Sequence, residues 1–526
     1  MNKVIIGTES MIVSPHYLAS QAGEQILQKG GNAFDAAVAV SACLAVVYPH
    51  MTGLGGDSFW LTYKEKTGKV RTYNGSGKSG AAVTREMFKG KESIPFRGIE
   101  SVLTVPGMVD SWDAILKEYG SMTLAEVLQP AIEYAEKGFP LSNDQYENTI
   151  KNEELLRSIE ETAAVFLPDG KVPEKFSRFV QKNLANTLKQ LGAKGREDFY
   201  KGELAYRIIS GLKKKGSYLT IADFAAHKGE WSEPLTSTYR SYMMYQAPPN
   251  SQGFVGLMIL NILENFDFSS IPYESYEYYQ LIIEAVKRSF QDRNEHLTDP
   301  TFYEIPLEQL LSKKYAKEMA DSISLEYTAD YSSRPVGSDT AHAAVVDKDG
   351  NAVSFIQSLY FEFGSGVVAG DTGITMQNRG SFFSLDPDQV NTLEPNKRTF
   401  HTLMPAMAFK ENKPYVLYGT QGGEGQPQTQ TLMITRMLDY GLDPQIAISE
   451  PRFVWGRTWG EKTEELKIEN RVSANVLEKL QKAGHTVNRV EAFDGIMGHA
   501  NAILIDEQGF LYGGVDPRSD GAAIGK

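Results

Sequence analysis

The stretch GSDTAHAAVVDKDGNAVSFIQSLY, residues 337–360, marks the point where the character of the chain changes. Before it, YTADYSSRPVGSD (327–339) is polar, contains Pro and Gly, and lacks a hydrophobic period, which is typical of an exposed loop. After it, apolar and polar residues alternate on both sides of DKDGN (347–351), which predicts two strands joined by a turn. Thr340 is therefore expected at the start of a strand, directly after an exposed loop.

Strand and helix patterns extend outward from this stretch in both directions. Hairpins are predicted at 406–420 around ENK, at 501–514 around DEQG and at 52–77 around KEKTGK. Helices are predicted at 16–47, broken at Gly30-Gly31, and through most of the chain between 109 and 297. The length of 526 residues allows about three domains or one two-layer body. Sheets near both ends with helices between them favour a single layered body, in which helices cover the sheets.

The composition limits the partners that the chain can have. Its 53 basic and 66 acidic side chains give a formal charge of -13. Because this charge repels phosphate backbones and anionic membranes, we expect no nucleic-acid partner and no membrane partner. No stretch approaches ~18 consecutive apolar residues, and the first apolar run is too short for a secretory signal. The expected location is the cytoplasm.

Motifs for metals and cofactors are missing from the sequence. The single cysteine, Cys43, excludes an intrachain disulfide and a cysteine-based zinc site, and it lies in a run so apolar that we expect it in the core. No His-Glu-x-x-His and no EF-hand spacing occurs. GSGKSG (75–80) resembles a phosphate-binding loop, but Thr72 stands where that loop requires glycine. We therefore expect no metal and no cofactor.

Thr340 is the candidate nucleophile. A threonine that opens a strand has a simple structural explanation, since β-branched residues favour strands. A threonine made N-terminal by a cut before it also carries its own base, because its α-amine has a pKa near ~8 and lies beside its own hydroxyl. One cut between Asp339 and Thr340 would thus create nucleophile and base together.

Adjacent glycines provide candidate donors for an oxyanion. In GTQGGEG (419–425), Gly422 and Gly423 follow an apolar strand. Glycines let consecutive backbone N–H groups face a substrate without an intervening side chain, although an ordinary turn after a strand would explain them equally well. Considered together, the threonine and the glycine pair favour amide chemistry.

Five segments together resemble the γ-glutamyltransferase family of N-terminal-nucleophile hydrolases. The resemblance runs from end to end of the chain, and its processing-site motif is T-x-H-x-x-V-V-D-x-D-G-N-A-V, from Thr340 to Val353. The other segments are LASQAGEQILQKGGNAFDAAVA (18–39), TGLGGDSF (52–59), VPGMVDSW (105–112) and VDPRSDGAAIG (515–525).

The resemblance implies a fold and a mechanism. The fold would be an αββα sandwich of two mainly antiparallel sheets covered by helices, formed by a large segment, 1–339, entwined with a small segment, 340–526. Autocleavage before Thr340 would leave its α-amine as base, and Thr340 would then attack a small-molecule amide to form an acyl-enzyme. Gly422 and Gly423 would hold the oxyanion, Ser358 would support the nucleophile, and water or an amine acceptor would complete the reaction. His342 matches the motif with either a structural or a catalytic role.

The sequence departs from the family where a γ-glutamyl group would be held. An arginine expected to bind the α-carboxylate aligns with Asn74, an acidic residue with Phe382, and its glutamine neighbour with Arg379. A serine pair aligns with His401-Thr402, and an acceptor-side asparagine aligns with Tyr360. Losing several charged contacts of this kind is expected to change substrate preference.

These departures leave three hypotheses open. Arg379, Lys78 and His401 offer new positive charge for an anionic acyl group, such as glutaryl, that lacks the α-amine. The leading hypothesis is an autoprocessing hydrolase or acyltransferase of γ-glutamyl or glutaryl-type amides. The alternatives are a cephalosporin acylase-like amidase with little γ-glutamyl activity and a non-catalytic scaffold that retained the fold.

Overall fold

The computed structural model describes residues 3–331, 339–456 and 463–526, without the side chain of Asp339. Its strands are β1 (Ile5–Gly7), β2 (Met11–Ser14), β3 (Asp57–Lys64), β4 (Lys69–Gly75), β5 (Phe139–Pro140), β6 (Arg178–Phe179), β7 (Glu230–Ser232), β8 (Leu235–Tyr239), β9 (Tyr242–Gln246), β10 (Asp339–Val346), β11 (Ala352–Tyr360), β12 (Ala406–Lys410), β13 (Lys413–Thr420), β14 (Phe453–Trp455), β15 (Leu466–Glu469), β16 (Val487–Val490), β17 (Ala500–Ile505), β18 (Leu511–Val515) and β19 (Ala522–Gly525).

Helices fill most of the sequence between these strands. They are α1 (Tyr17–Gln28), α2 (Ala33–Val47), α3 (Met108–Tyr119), α4 (Leu124–Val127), α5 (Gln129–Lys137), α6 (Asn143–Lys151), α7 (Glu153–Arg157), α8 (Glu160–Phe166), α9 (Lys182–Lys194), α10 (Arg196–Tyr200), α11 (Glu203–Lys213), α12 (Ile221–Ala226), α13 (Gly253–Leu263), α14 (Tyr276–His296), α15 (Leu307–Leu310), α16 (Lys313–Asp321), α17 (Gly425–Leu438), α18 (Pro444–Ser449) and α19 (Ala474–Lys482). None of the described helices is long and apolar enough to cross a membrane.

The break between α1 and α2 shows how local sequence sets these elements. Asn32 caps α2 by accepting from the backbone N–H of Asp35, and the Asp35 carboxylate accepts from the N–H of Asn32. This reciprocal pair satisfies two of the N–H groups that a helix start leaves without partners. Every residue of α2 is buried, so Cys43 belongs to the core, as predicted, and burial raises the pKa of its thiol.

Two large sheets dominate the described part of the chain. One has the order β1-β18-β17-β13-β12-β9-β8 and the other the order β19-β2-β10-β11-β3-β4-β7. All neighbouring strands within these two sheets pair antiparallel. Both sheets combine strands from before and after Thr340, so a cut at that position would leave two segments that share both sheets.

The packing is layered as helix, sheet, sheet, helix. Between the sheets, apolar side chains of one, such as Val13 and Leu61, meet those of the other, such as Leu417 and Ile503. The outer faces pack against two further clusters, one built around α2 and one built around α13 and α14. Burying both faces of each sheet in this way gives the αββα sandwich that the sequence resemblance predicted.

The predicted hairpins are confirmed, and the description of the middle needs correction. The pairs β3–β4, β10–β11, β12–β13 and β17–β18 lie where alternation predicted them. However, residues 230–246, which had been included in a mostly helical middle, form β7, β8 and β9. β7 and β8 lie at sheet edges, where partial exposure weakens the apolar pattern. Of the predicted loop 327–339, residues 327–331 have no regular structure and 332–338 lie outside the described residues.

Candidate active site

Thr340 lies near the start of β10, an interior strand of its sheet with β2 and β11 as neighbours. The pairing of β10 with β11 is regular from Ala341 onward but shifts before it, so that Ser358 and Leu359 together face the single residue Thr340. Such bulges re-aim side chains and occur often beside active sites. Thr340 is 1% exposed. The predicted supporting residue, Ser358, therefore lies directly across from the predicted nucleophile.

The glycine pair follows β13 and precedes α17. Gly422 has φ +123° and Gly423 has φ +49°, a region that favours glycine because a Cβ would be strained there. None of the hydrogen bonds within the described residues uses the backbone N–H of Gly422 or of Gly423. Two adjacent N–H groups with this geometry suit the binding of an oxyanion.

Buried polar side chains hold the glycine turn in place. Glu424 pairs with Arg293 of α14 at 2.7 Å, with both side chains at most 1% exposed. The amide of Gln252 donates to the carbonyl oxygens of Gly423, at 3.0 Å, and of Thr402, at 2.9 Å. Arg293 also donates to Gln252 at 3.2 Å. The turn is thus fixed from two sides, which keeps its N–H groups from rotating away.

Gln426 is a contact of Thr340, the candidate nucleophile, that the sequence did not predict. Its Nε2 lies 3.4 Å from the hydroxyl oxygen of Thr340, and the side chain is fully buried on the first turn of α17. The signal available in the sequence was its place three residues after the glycine pair, at the start of a helix. A buried glutamine on the first turn of the helix lies close to the glycine turn that precedes it.

A buried arginine lies at the other end of the site. Arg379 is 1% exposed, yet none of its three guanidinium nitrogens has a hydrogen-bond partner within the described residues. The guanidinium lies 4.4 Å from the ring centre of Tyr360 and 5.1 Å from that of Phe382, and these two rings stack 4.1 Å apart. Tyr360 is the residue of β11 opposite Asp339, so the arginine lies beside the predicted cleavage junction.

The anionic group near Arg379 is the buried carboxylate of Asp57. Its Oδ1 accepts from the N–H groups of Gly77 and Gly107 and from Gln377, and its Oδ2 lies 3.2 Å from Nε2 of His401. Burial raises the pKa of Asp57 to about 7, against the opposing effect of Arg379.

Burial shifts the pKa of the neighbouring basic side chains in the opposite direction, downward. Burial lowers the pKa of Arg379 to about 10, so the guanidinium stays charged at neutral pH. Burial and the charge of Arg379 hold the pKa of His401 well below its usual range. His401 is therefore neutral, and of the cation candidates Arg379 is the one that this cluster holds buried and charged.

The other predicted binding residues already have hydrogen-bond partners or line another cavity. Both ends of the Asn74 amide bond to neighbours, to Asn250 at 2.8 Å and to Ser76 at 2.6 Å. Thr402 is buried, and its carbonyl accepts from Gln252. Lys78 lines a cavity with His227. The described contacts thus bring together Tyr360, Arg379 and His401 but give Lys78 no contact with Arg379.

His342 packs between the two sheets. Its Nε2 lies 3.0 Å from the hydroxyl of Ser354, and a Cβ on Gly419 would come within 2.2 Å of its ring. Burial lowers the pKa of His342 to about 3, so it is uncharged at neutral pH. This placement favours the structural role that the sequence left open.

A cavity of about 370 Å³ opens beside Phe382. It is lined on the aromatic side by Phe96, Phe382 and Phe400 and carries Glu92 and Asp386. Because Phe382 also stacks on Tyr360, this cavity adjoins the aromatic cage around Arg379. In the described residues, no cluster of three or more His, Cys, Asp or Glu side chains is placed to hold a metal.

The fold and the site together define a class of protein. An αββα sandwich with a strand-opening threonine, contacted by the helix that follows a glycine turn whose N–H groups make no hydrogen bond within the described residues, is the arrangement of an N-terminal-nucleophile enzyme that cleaves amides. The sequence profile described as gamma-glutamyltranspeptidase matches residues 19–526. The chain belongs to the γ-glutamyltranspeptidase family. The predictions of family, fold class and enzymatic amide chemistry are therefore confirmed.

Similar proteins span the full length of the chain. The glutathione hydrolase-like YwrD proenzyme of Bacillus subtilis is 65% identical over 526 residues and covers 100% of both chains. The oxamate amidohydrolase proenzyme of Klebsiella pneumoniae is 40% identical over 530 residues, again with 100% of both chains covered. The crystal structure of cephalosporin acylase from Bacillus halodurans matches with a TM-score of 0.93 at 36% identity, covering 100% of this chain and 97% of the other.

Proposed function

We propose that the chain cleaves itself before Thr340 and then hydrolyses or transfers an acyl group that ends in a carboxylate and lacks an α-amine. The observation that carries the acyl class is Arg379, a buried guanidinium whose three nitrogens have no hydrogen-bond partner within the described residues. A buried guanidinium that makes no hydrogen bond costs several kcal/mol, a cost that the nearby Asp57, which is not bonded to it and has a pKa of about 7, offsets only in part. A carboxylate at the far end of the acyl group would remove that cost by forming a bidentate pair.

The first step of this proposal is self-cleavage. The Thr340 hydroxyl attacks the carbonyl carbon of Asp339, and the peptide nitrogen of Thr340 takes up the proton as its bond to that carbon breaks. Water hydrolyses the resulting ester, which leaves a carboxylate on Asp339 and a free α-amine on Thr340. The products are a large segment, 1–339, and a small segment, 340–526, which stay together because their strands share both sheets.

The second step is acyl transfer. The new α-amine of Thr340, with a pKa near ~8, takes the hydroxyl proton as the oxygen attacks the amide carbonyl. The N–H groups of Gly422 and Gly423 stabilise the negative charge on the carbonyl oxygen. Ser358, across from the nucleophile, supports its orientation. The amine leaves with the proton, and water or an amine acceptor then releases the acyl group from Thr340.

The acyl-end contacts argue against a γ-glutamyl group. Its α-ammonium would approach the positive charge of Arg379. The acidic residue that the family resemblance leads one to expect there is replaced by Phe382, which offers only an aromatic ring. Its α-carboxylate would lack the arginine replaced by Asn74, whose amide is already paired at both ends. A glutaryl group has one carboxylate and no ammonium, so it needs only Arg379.

A pair of anilides that differ only in the α-amine tests the proposed acyl class. We expect kcat/KM for glutaryl p-nitroanilide to equal or exceed that for γ-glutamyl p-nitroanilide, because the glutaryl group avoids the repulsion from Arg379. The same pair measured on Arg379→Met controls for the anilide, since the preference should disappear with the charge. A hundred-fold advantage for the γ-glutamyl compound in the unmodified enzyme would contradict the proposal.

A smaller amide is a second candidate substrate. The relative named oxamate amidohydrolase is 40% identical to this chain along its whole length, and oxamate also presents one carboxylate and no ammonium. Arg379 would hold either compound, but the carboxylate of oxamate is attached directly to the amide carbon. Ammonia release from oxamate and from glutaramate, the monoamide of glutaric acid, separates the two, because only the amide whose length matches the distance from Thr340 to Arg379 should turn over efficiently.

The proposal also includes the predicted cytoplasmic location. Fractionation of cells of the source organism tests it. The protein should appear with cytoplasmic marker enzymes, and its recovery from the culture medium or the membrane fraction would contradict this part of the proposal.

A further inference from the structure

Gln426 differs from the other glutamines on its helix in how its amide is used. Gln428 and Gln430 have both amide atoms paired: Gln428 with Trp455 and with the carbonyl of Glu424, and Gln430 with Gln246 and with a backbone carbonyl. Gln426 has Nε2 at 3.4 Å from the Thr340 hydroxyl, while its Oε1 is buried and makes no hydrogen bond within the described residues.

A buried amide oxygen without a donor is uncommon in folded proteins, and each instance calls for an explanation. The oxygen lies on the same planar group as the nitrogen that reaches the nucleophile. Self-cleavage would create a new donor in this place, because the peptide nitrogen of Thr340 becomes an amine with additional N–H bonds. The amine and the hydroxyl of a threonine stand on neighbouring carbons, so one primary amide can bond to both.

We propose that Gln426 is a catalytic residue that binds Thr340 through both amide atoms, its Nε2 donating to the hydroxyl oxygen and its Oε1 accepting from the α-amine formed by cleavage. This inference rests on the proposed function of Thr340. The donated N–H bond turns the hydroxyl proton toward the amine. The accepted bond turns one amine N–H away, which leaves the amine lone pair facing the hydroxyl.

The proposed role of Gln426 depends on the lack of charge on its side chain as much as on its position. A carboxylate in this place would favour the protonated amine and raise its pKa, so less of the base would be free at neutral pH. The surrounding elements offer other ionisable groups at Glu424, paired with Arg293 on α14, at His342 on β10 and at Asp57 on β3. They are the same in every variant below, so differences between variants report on residue 426.

Two substitutions test the two bonds separately. Gln426→Met keeps the bulk and removes both bonds, so we expect self-cleavage of the full chain and kcat of the cleaved enzyme each to fall at least ten-fold, with KM little changed. Gln426→Glu keeps an acceptor for the amine, so we expect the acid limb of the pH profile of kcat/KM to move up by at least one pH unit. Rates are expressed per molecule with a free Thr340, counted by intact-mass analysis.

Gln430→Met is the matched control, because Gln430 lies on the same helix, is equally buried, and contacts neither Thr340 nor the glycine pair in the described structure. The inference is overturned if Gln430→Met slows self-cleavage as much as Gln426→Met does, or if the pH profile of Gln426→Glu overlays that of the unmodified enzyme. If Gln426→Met does not fold, as judged by its thermal transition, the pH profile of Gln426→Glu decides alone.

Failure of the underlying function would give a different pattern. In that case the unmodified chain would stay whole, or Thr340→Ala would still be cleaved, and the role of Gln426 would fall with it. A chain that cleaves normally but is insensitive to Gln426→Met overturns this inference alone and leaves Thr340 as the proposed nucleophile. A chain that cleaves but turns over no tested amide still tests the inference through the cleavage rates.

Discussion

The reaction end and the acyl end of the candidate site are built in contrasting ways. Near Thr340, the proposed oxyanion donors are the backbone N–H groups of Gly422 and Gly423, in a turn that is held by a paired buried ion and a glutamine amide. Around Arg379, the chain places a buried charge beside two aromatic rings, and the guanidinium nitrogens have no hydrogen-bond partner among the residues that the structure describes. If the proposed roles hold, the contrast teaches that backbone groups carry the chemistry, whereas a few exchangeable side chains carry the preference for an acyl group.

The largest effect is expected at the nucleophile itself. Thr340→Ala removes the hydroxyl needed for self-cleavage and for acyl transfer, so the 58.3 kDa chain should stay whole instead of giving fragments of about 37 and 21 kDa on a denaturing gel. Thr340→Ser keeps a hydroxyl and should still be cleaved. Splitting of the alanine variant would show that the reaction end has been misassigned.

The glycine turn should produce the next largest effect. At Gly422, φ is +123° and the atoms nearest to an added Cβ lie 3.6 Å away, so alanine is opposed by backbone strain and not by lack of space. Relief of that strain would turn the N–H away from the oxyanion and lower kcat by about a hundred- to a thousand-fold. Gly425→Ala, on the adjacent helix turn with a nearest contact of 3.5 Å, should keep most activity. Equal kinetics for the two variants would argue against an oxyanion role.

A smaller and more selective effect is expected at Arg379. Arg379→Met should lower kcat/KM for the glutaryl anilide by about ten- to a hundred-fold, the equivalent of a few kcal/mol of charged hydrogen bonding. Its melting temperature should not fall, because the variant removes a buried cation without hydrogen bonds. Arg452→Met is the contrasting variant, since Asp516 loses its 2.7 Å buried partner while keeping Arg518 at 3.0 Å, and the carbonyl of Ile448 loses a donor. It should cost about 1–3 kcal/mol of stability.

The smallest effect concerns the proton on Asp57. The pKa of this carboxyl is about 7, so it is mostly protonated at pH 6 and ionised at pH 8. Only the ionised form offsets the charge of Arg379 and repels an anionic ligand. The inhibition constant of glutarate should therefore rise roughly three- to ten-fold from pH 6 to pH 8, and Asp57→Asn should flatten this rise. An equally steep rise in the asparagine variant would mean that another group is responsible.

The same carboxyl should affect stability, with a sign that follows from its pKa. Because the pKa in the folded state is about 7 and an unfolded aspartate has a pKa of about 3.9, the folded chain binds more protons between these values. The free energy of unfolding contributed by Asp57 therefore decreases as pH rises from about 4 to about 7. Thermal melts of the unmodified chain and of Asp57→Asn should diverge over that range, with the aspartate chain losing more stability.

Local sequence predicted the elements that have strong local signals. The break predicted at Gly30-Gly31 is followed by the start of α2, which Asn32 caps together with Asp35, and the alternation around DKDGN gives β10 and β11. Within residues 230–246, the edge strands β7 and β8 were missed because they are partly exposed and show little apolar alternation, and β9, which lies inside its sheet, was missed with them. The three-stranded sheet of β14, β15 and β16 was not predicted either, since its parallel pair depends on segments distant in sequence.

For the candidate site, the sequence located Thr340 and the glycine pair but could not rank the cation candidates. In the sequence, Arg379, Lys78 and His401 were equivalent candidates for the cation that binds an anionic acyl group. Burial and the charge of Arg379 separate Arg379 from His401, because together they keep His401 neutral while Arg379 stays charged. Gln426 was missed for a related reason, since its contact joins the first turn of α17 to a strand 86 positions earlier in the chain.

By itself, the sequence determined that this chain belongs to an amide-cleaving family, that Thr340 opens a strand, and that the side chains expected to hold a γ-glutamyl group are replaced. These conclusions depend on residue identity and on short-range patterns, both of which can be read directly from the sequence. The tertiary structure alone decided which replacements meet: it buried Arg379 against Tyr360 and Phe382, kept His401 neutral and brought Gln426 to Thr340. Burial and the electrostatic effect of one charged group on another depend on contacts between segments distant in sequence, so a local sequence pattern does not predict them.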